Sequence, residues 1–67
     1  MEDYQKRVIE EADELDNKIE KLETFLLNPS SYIKITELPE LGRLKRQADA
    51  MRLYSYILHN RIKHFNP

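Results

Sequence analysis

The stretch YQKRVIEEADELDNKIEKLETFL, residues 4–26, decides the fold. Its apolar residues Tyr4, Val8, Ala12, Leu15, Ile19, Leu22 and Leu26 follow one another at steps of 4, 4, 3, 4, 3 and 4. That recurrence is one face of an α-helix sustained for about six turns. Ile9 and Phe25 widen the stripe at its ends. The opposite face, from Lys6 through Glu10, Asp13, Glu14, Asn17 and Lys21 to Thr24, is polar throughout. No Gly or Pro falls between residues 2 and 27, and Glu2 and Asp3 suit the positive end of a helix dipole. Glu14 with Lys18, and Asn17 with Lys21, are spaced to interact along the surface. The spacing predicts a helix over 2–27.

Asn28-Pro29-Ser30-Ser31 ends that helix, because proline cannot continue the hydrogen-bond ladder and pushes the preceding residue out of helical geometry. Tyr32-Ile33-Lys34-Ile35-Thr36 alternates weakly and is rich in β-branched residues, but the chain has no second strand to pair with it. The connector 28–37 is therefore expected to be extended or to form one turn, with Tyr32, Ile33 and Ile35 packed over the closed end. Pro39 fits the first turn of a second helix, with Thr36 or Glu37 just upstream as its start signal. Leu41, Leu44, Ala48, Met51, Tyr54 or Ser55, Leu58, Ile62 and Phe65 then repeat at helical spacing, predicting a helix over about 38–65. Gly42 either costs this helix roughly 1 kcal/mol as an interior residue, or marks a late start or a close approach of backbones.

Folding the two arms together predicts an all-α, antiparallel two-helix hairpin that occupies residues 1–67 as one domain. A register in which paired positions sum to about 66 would set Val8 against Leu58, Ala12 against Tyr54, Leu15 against Met51, Ile19 against Ala48 and Leu22 against Leu44. It would also bring Tyr4 and Arg7 beside Arg61 and His64 at the open end. With 67 residues and no cysteine, the chain can hold no disulfide or thiolate metal site. A core of this size seldom supplies more than about 3–5 kcal/mol unaided. Two helices alone cannot cover their apolar stripes, so oligomerisation into a helical bundle is expected.

Charge is divided between the arms. Residues 1–27 carry nine acids and four bases, a net of −5, while residues 28–67 carry seven bases and three acids, a net of +4. The arms should attract each other. The opening Met1-Glu2-Asp3-Tyr4 has no basic region followed by an apolar run, unlike a secretory signal. The longest apolar runs are two or three residues, far short of the ~20 that span a bilayer. The expectation is a protein that stays in the cell that makes it, with no membrane contact.

Catalysis has little to stand on. One glycine cannot build a phosphate-cradling loop, there is no His-Glu-x-x-His zinc helix, and no cysteine nucleophile exists. His59 and His64 are five residues apart, roughly 140° around a helix, and cannot share one ion. Glu10, Glu11, Asp13 and Glu14 read as a solvated face rather than a carboxylate site. No enzyme, no metal and no cofactor is expected. Binding is better supported, since the second helix interleaves Arg43, Lys45, Arg46, Arg52, Arg61 and Lys63 with Tyr54, Tyr56, His59 and His64. Cations neutralise phosphate and aromatic faces stack on bases. The plainer reading puts Tyr54 in the core, Tyr56 at a helix boundary and the bases in balance with the acidic arm. Duplex nucleic acid is a poorer fit, because a net charge of −1 gives little counterion-release drive. Tyr4 either caps the open end of the core or forms a platform with Arg7 and Arg61. Arg61, in turn, either grips phosphate or pairs with Glu2 or Asp3.

The segments Tyr4-Gln5-x-Arg7-Val8, Glu11, Glu14-Leu15-x-x-Lys18-Ile19-x-Lys21-Leu22-x-x-Phe25 and Gln47-x-x-Ala50-Met51-x-x-Tyr54-x-x-Ile57-Leu58-x-x-Arg61-Ile62 together resemble a family of very short helical phage proteins named after a gene of crAss-like phages. The resemblance covers both helices in order. Members carry a longer acidic connector, where this chain has Tyr32–Leu38 and Gly42. Those proteins are similar in size and hairpin shape to the viral sponges that defeat CBASS and Thoeris immunity by sequestering cyclic-nucleotide signals between subunits. The resemblance implies a non-catalytic homo-oligomer, dimer to hexamer, that binds a cyclic oligonucleotide in the cytoplasm of an infected bacterial host. Tyr4 and Tyr54 would stack on bases, and Arg7, Arg61 and Lys63 would hold phosphates. The alternative is a helical adaptor that binds a host or phage protein.

Overall fold

The computed structural model describes residues 1–27 and 38–65. They form two helices, α1 (Asp3–Leu27) and α2 (Leu38–Lys63), close to the predicted limits. The expected packing of Tyr32, Ile33 and Ile35, and the start signal at Thr36 or Glu37, lie outside the described residues. At the head of α1 the Glu2 N–H donates to Gln5 Oε1 at 2.9 Å, while the Gln5 and Lys6 N–H groups donate to the Glu2 carbonyl at 3.1 and 3.2 Å. This is half of a capping box, in which a Gln reaches back to the residue that opens the helix. Gln5 is buried as a result. After Lys63 the chain tightens, with the His64 and Phe65 N–H groups donating to the carbonyls of Arg61 and Ile62 at 3.1 Å, the i to i−3 closure common at helix ends.

The helices run antiparallel. Tyr4 meets Phe65, Asp16 meets Ser55 and Glu23 meets Arg52, so partner numbers fall as α1 numbers rise. The seam is the stripe read from the sequence. Val8, Ala12, Leu15 and Ile19 are buried with Leu58, and Met51, Ile62 and Phe65 pack against them half-buried. Ala48 and Leu58 are fully buried and Ala12 nearly so, and the two alanines let the helix backbones lie close. Tyr4 departs from the expected stripe. It is half exposed, and its ring meets Phe65 edge-on with centroids 5.8 Å apart.

The register differs from the expected sum of 66. The pairs above sum to 69 (Tyr4 with Phe65), 71 (Asp16 with Ser55) and 75 (Glu23 with Arg52). The shift slides α2 by about one to two and a half turns relative to the expected pairing and carries its first residues past the end of α1. The molecule is 51 Å long and 15 Å thick, longer than the roughly 38 Å of either helix alone. The physical reason lies at Tyr54 and Ser55. Ser55 faces α1 half-buried and Tyr54 points outward, so the small side chain sits where a tyrosine would wedge the helices apart.

Two local expectations also change. Glu14 and Lys18 form no ion pair among the described residues, because so exposed a pair gains too little to hold two long side chains. Gly42 is interior to α2, and a Cβ built on it meets nothing within 4 Å. It is neither a late start nor a close approach. Its φ is negative, so alanine fits without strain. Gly42→Ala should therefore stabilise the fold by roughly 0.5–1 kcal/mol, read as a rise in the thermal midpoint of the helical circular-dichroism signal. A fall would mean that the open space at Gly42 is needed.

Candidate functional site

The polar cluster nearest the seam joins three residues. Ser55 Oγ donates to Asp16 Oδ1 at 2.6 Å, and His59 Nε2 lies 2.7 Å from Asp16 Oδ2. Ser55 and His59 are one helical turn apart on α2, so one carboxylate on α1 takes both. The hydroxyl, then the imidazole, hold the Asp16 carboxyl below the usual carboxylate range against a smaller opposing effect of burial. The three residue types are those of a serine hydrolase, but the connectivity is not. Here the carboxylate sits between serine and histidine, and the hydroxyl is bonded to the acid rather than to an imidazole base. The cluster is a clamp that fixes register.

A second cross-helix contact lies further along. Arg52 donates to Glu23 Oε2 at 2.8 Å, and its other terminal nitrogen pairs with Asp49 on its own helix. Asp49 and then Glu23 hold the Arg52 guanidinium in its charged form. Arg52 is thereby committed and is not a free phosphate ligand. Arg43 is likewise paired with Glu40 at 3.3 Å.

The residues expected to bind ligand are all on the surface. Tyr4, Arg7, Tyr54, Arg61 and Lys63 are exposed, and none of the three cations forms an ion pair among the described residues. Arg61 does not pair with Glu2 or Asp3. Tyr54 and Arg61 are seven residues apart, within about 20° of one face of α2 and roughly 10 Å along it. Lys63 lies about 180° from Tyr54 and lines a separate surface hollow with Tyr56, His59 and Asn60. Tyr4 and Arg7 stand on the first two turns of α1, at the same end of the rod as Arg61 and Lys63. One protomer therefore brings Tyr54 and Arg61 to a common face and leaves Lys63 on another. Among the described residues no group of histidines and carboxylates could hold a metal ion, and no helix is long and apolar enough to cross a membrane.

Residues 2–64 match the Sequestin family. The chain belongs to that family. The match spans both helices and all five expected ligand contacts. No curated protein and no solved structure matches the chain. The Sequestin-family hairpin also contains what the sequence did not mark: the Asp16–Ser55–His59 clamp, and Gln5 as a buried cap. The available signals were Ser55-x-x-x-His59 at one-turn spacing, and Glu2-x-x-Gln5 just before the apolar stripe.

Because Asp16 titrates below the unfolded value, its contribution is present above about pH 4 and is lost as pH falls through the folded value. Asp16→Asn should lower stability by about 1 kcal/mol at neutral pH, a figure discounted for solvent exposure. It should also flatten the loss of stability between about pH 5 and pH 2. Thermal midpoints across that range test this, and parallel profiles for the two proteins would remove the clamp from the account.

Proposed function

We propose that this protein binds a cyclic oligonucleotide immune signal between subunits of a homo-oligomer and withholds it without chemical change. It would act in this way as a phage counter-defence protein in the cytoplasm of an infected bacterium. The observation that carries the reading is the exposed Arg61 guanidinium, which forms no ion pair among the described residues and shares one face of α2 with the half-exposed Tyr54. A guanidinium so placed can take phosphate oxygens bidentately. The family name, Sequestin, supports withholding rather than turnover.

Thickness supports placing the ligand between copies. A rod 15 Å across is two helices side by side and has no room to enclose a nucleotide, whereas ligands of that size are held with most of their surface buried. A second protomer supplies the missing wall. Binding without chemistry agrees with the cluster geometry, in which the Asp16–Ser55–His59 group is spent on register.

A second reading, the protein-binding adaptor, is favoured by the exposed Leu53 and Ile57. The two separate in a thermal-shift screen of the purified protein against cyclic di- and trinucleotides and cyclic ADP-ribose isomers, with solution mass recorded alongside. Sequestration predicts that a tight ligand at a hundredfold excess over its Kd raises apparent stability by about 2.7 kcal/mol. Arg61→Ala should abolish the shift and leave helicity intact. A full shift in Arg61→Ala removes Arg61 from the site, and no shift with any nucleotide in the wild type gives the adaptor reading the lead.

A further inference from the structure

On α2, Leu53 is 62 % exposed, Tyr54 43 % and Ile57 47 %. With exposed Ala50 they form a second apolar stripe, roughly a third of a turn around the helix from the seam. The arrangement is symmetric about the point between Leu53 and Tyr54. Moving outward by three residues reaches Ala50 on one side and Ile57 on the other. Four more reach Arg46 and Arg61, and a further three reach Arg43 and His64. Apolar residues thus occupy the middle, and guanidinium or imidazole groups occupy both ends at matched distances.

We infer that α2 pairs antiparallel with α2 of a second copy about a two-fold axis between Leu53 and Tyr54, and that each end of this contact is a composite anion site of Arg46 from one copy and Arg61 from the other. An isologous contact sets position i against position j and j against i. A two-fold axis at this point therefore meets Leu53 with Tyr54, Ala50 with Ile57 and Arg46 with Arg61. The occupant is a second copy because the stripe needs apolar surface of its own length, and the outer face of α1, from Lys6 to Thr24, offers none. Its counterpart among the described residues is the same stripe on another molecule.

The ends then hold the ligand through their arginines, while Tyr54 packs against the other copy rather than against a base. Neither Arg46 nor Arg61 has an ion pair among the described residues. Pairing two copies brings these like charges together, which opposes association until an anion lies between them. His64 and the Arg43–Glu40 pair flank the same place. The His64 Nδ1 donates to the Asn60 carbonyl at 2.8 Å. The two sites are equivalent and about 22 Å apart along the helix, so a dimer would hold two phosphate-bearing ligands. The anion role rests on the sequestration reading, whereas the pairing itself is tested without any nucleotide.

The test is sedimentation of four full-length proteins at low ionic strength, with inorganic pyrophosphate as the probe anion. The wild type should dimerise, and pyrophosphate should tighten the dimer. Ile57→Glu should weaken it at least tenfold while helicity is retained. Arg46→Glu places a carboxylate opposite the partner's arginine at both ends, so it should tighten the anion-free dimer by about tenfold and abolish the response to pyrophosphate. Adding Arg61→Glu to Arg46→Glu restores like-charge ends and should reverse that gain. A wild type that stays monomeric, or a dimer equally strong in the single and double charge variants, overturns the pairing. A dimer that follows the charge variants but ignores pyrophosphate keeps the pairing and overturns the anion site.

Discussion

The structure depends on which of two adjacent residues, Tyr54 or Ser55, faces α1. They are about 100° apart on a helix, so only one can lie in the seam. Ser55 does, and its hydroxyl reaches Asp16 with His59 one turn further on. With this small residue inside, Leu58 and Ala48 are fully buried and the helices approach closely. The same rotation turns Tyr54, Leu53, Ile57 and Arg61 to solvent. The seam and the exposed face are two consequences of one choice of helix orientation.

The division of charge contributes less than its size suggests. Of the nine acids in residues 1–27, Asp16 and Glu23 reach across to α2 among the described residues, and the first is an ion pair only when His59 is protonated. Both pairs are about half exposed, a setting in which ion pairs contribute about 0–1 kcal/mol. Burial along the Val8–Ile19 stripe holds the arms together, and the polar contacts select the register. The remaining charges stay on the surface.

The helices and the α1 side of the seam were legible in the sequence, because Val8, Ala12, Leu15 and Ile19 recur at strict helical steps with a polar face behind them. The α2 side was legible except at its centre, where the period admits Tyr54 and Ser55 equally. The register was not. Two antiparallel stripes of similar residues can slide by a turn and still bury apolar surface, and what arrests them here is a specific polar contact between residues 39 positions apart. Gln5 was hidden by its polarity, which conceals a residue whose amide is satisfied by its own helix end. Of the expected ligand contacts, Tyr54 and Arg61 share a face, whereas Lys63 does not. Periodicity puts basic and aromatic residues on a helix, but it does not say which of them the fold will leave free.

Pulsed electron paramagnetic resonance on single-cysteine variants tests most directly whether the outward face of α2 is where copies meet. The chain has no native cysteine, so one nitroxide per protomer can be placed at Asp49, Lys45 or Lys63 without further changes. Antiparallel pairing about Leu53 and Tyr54 predicts one inter-copy distance per label, with an axial separation that grows by about 3 Å for each residue away from the axis. It is shortest at position 49, longer at 45 and longest at 63. A distance independent of label position would mean parallel helices, and no dipolar coupling at any position would mean that the copies do not meet through α2.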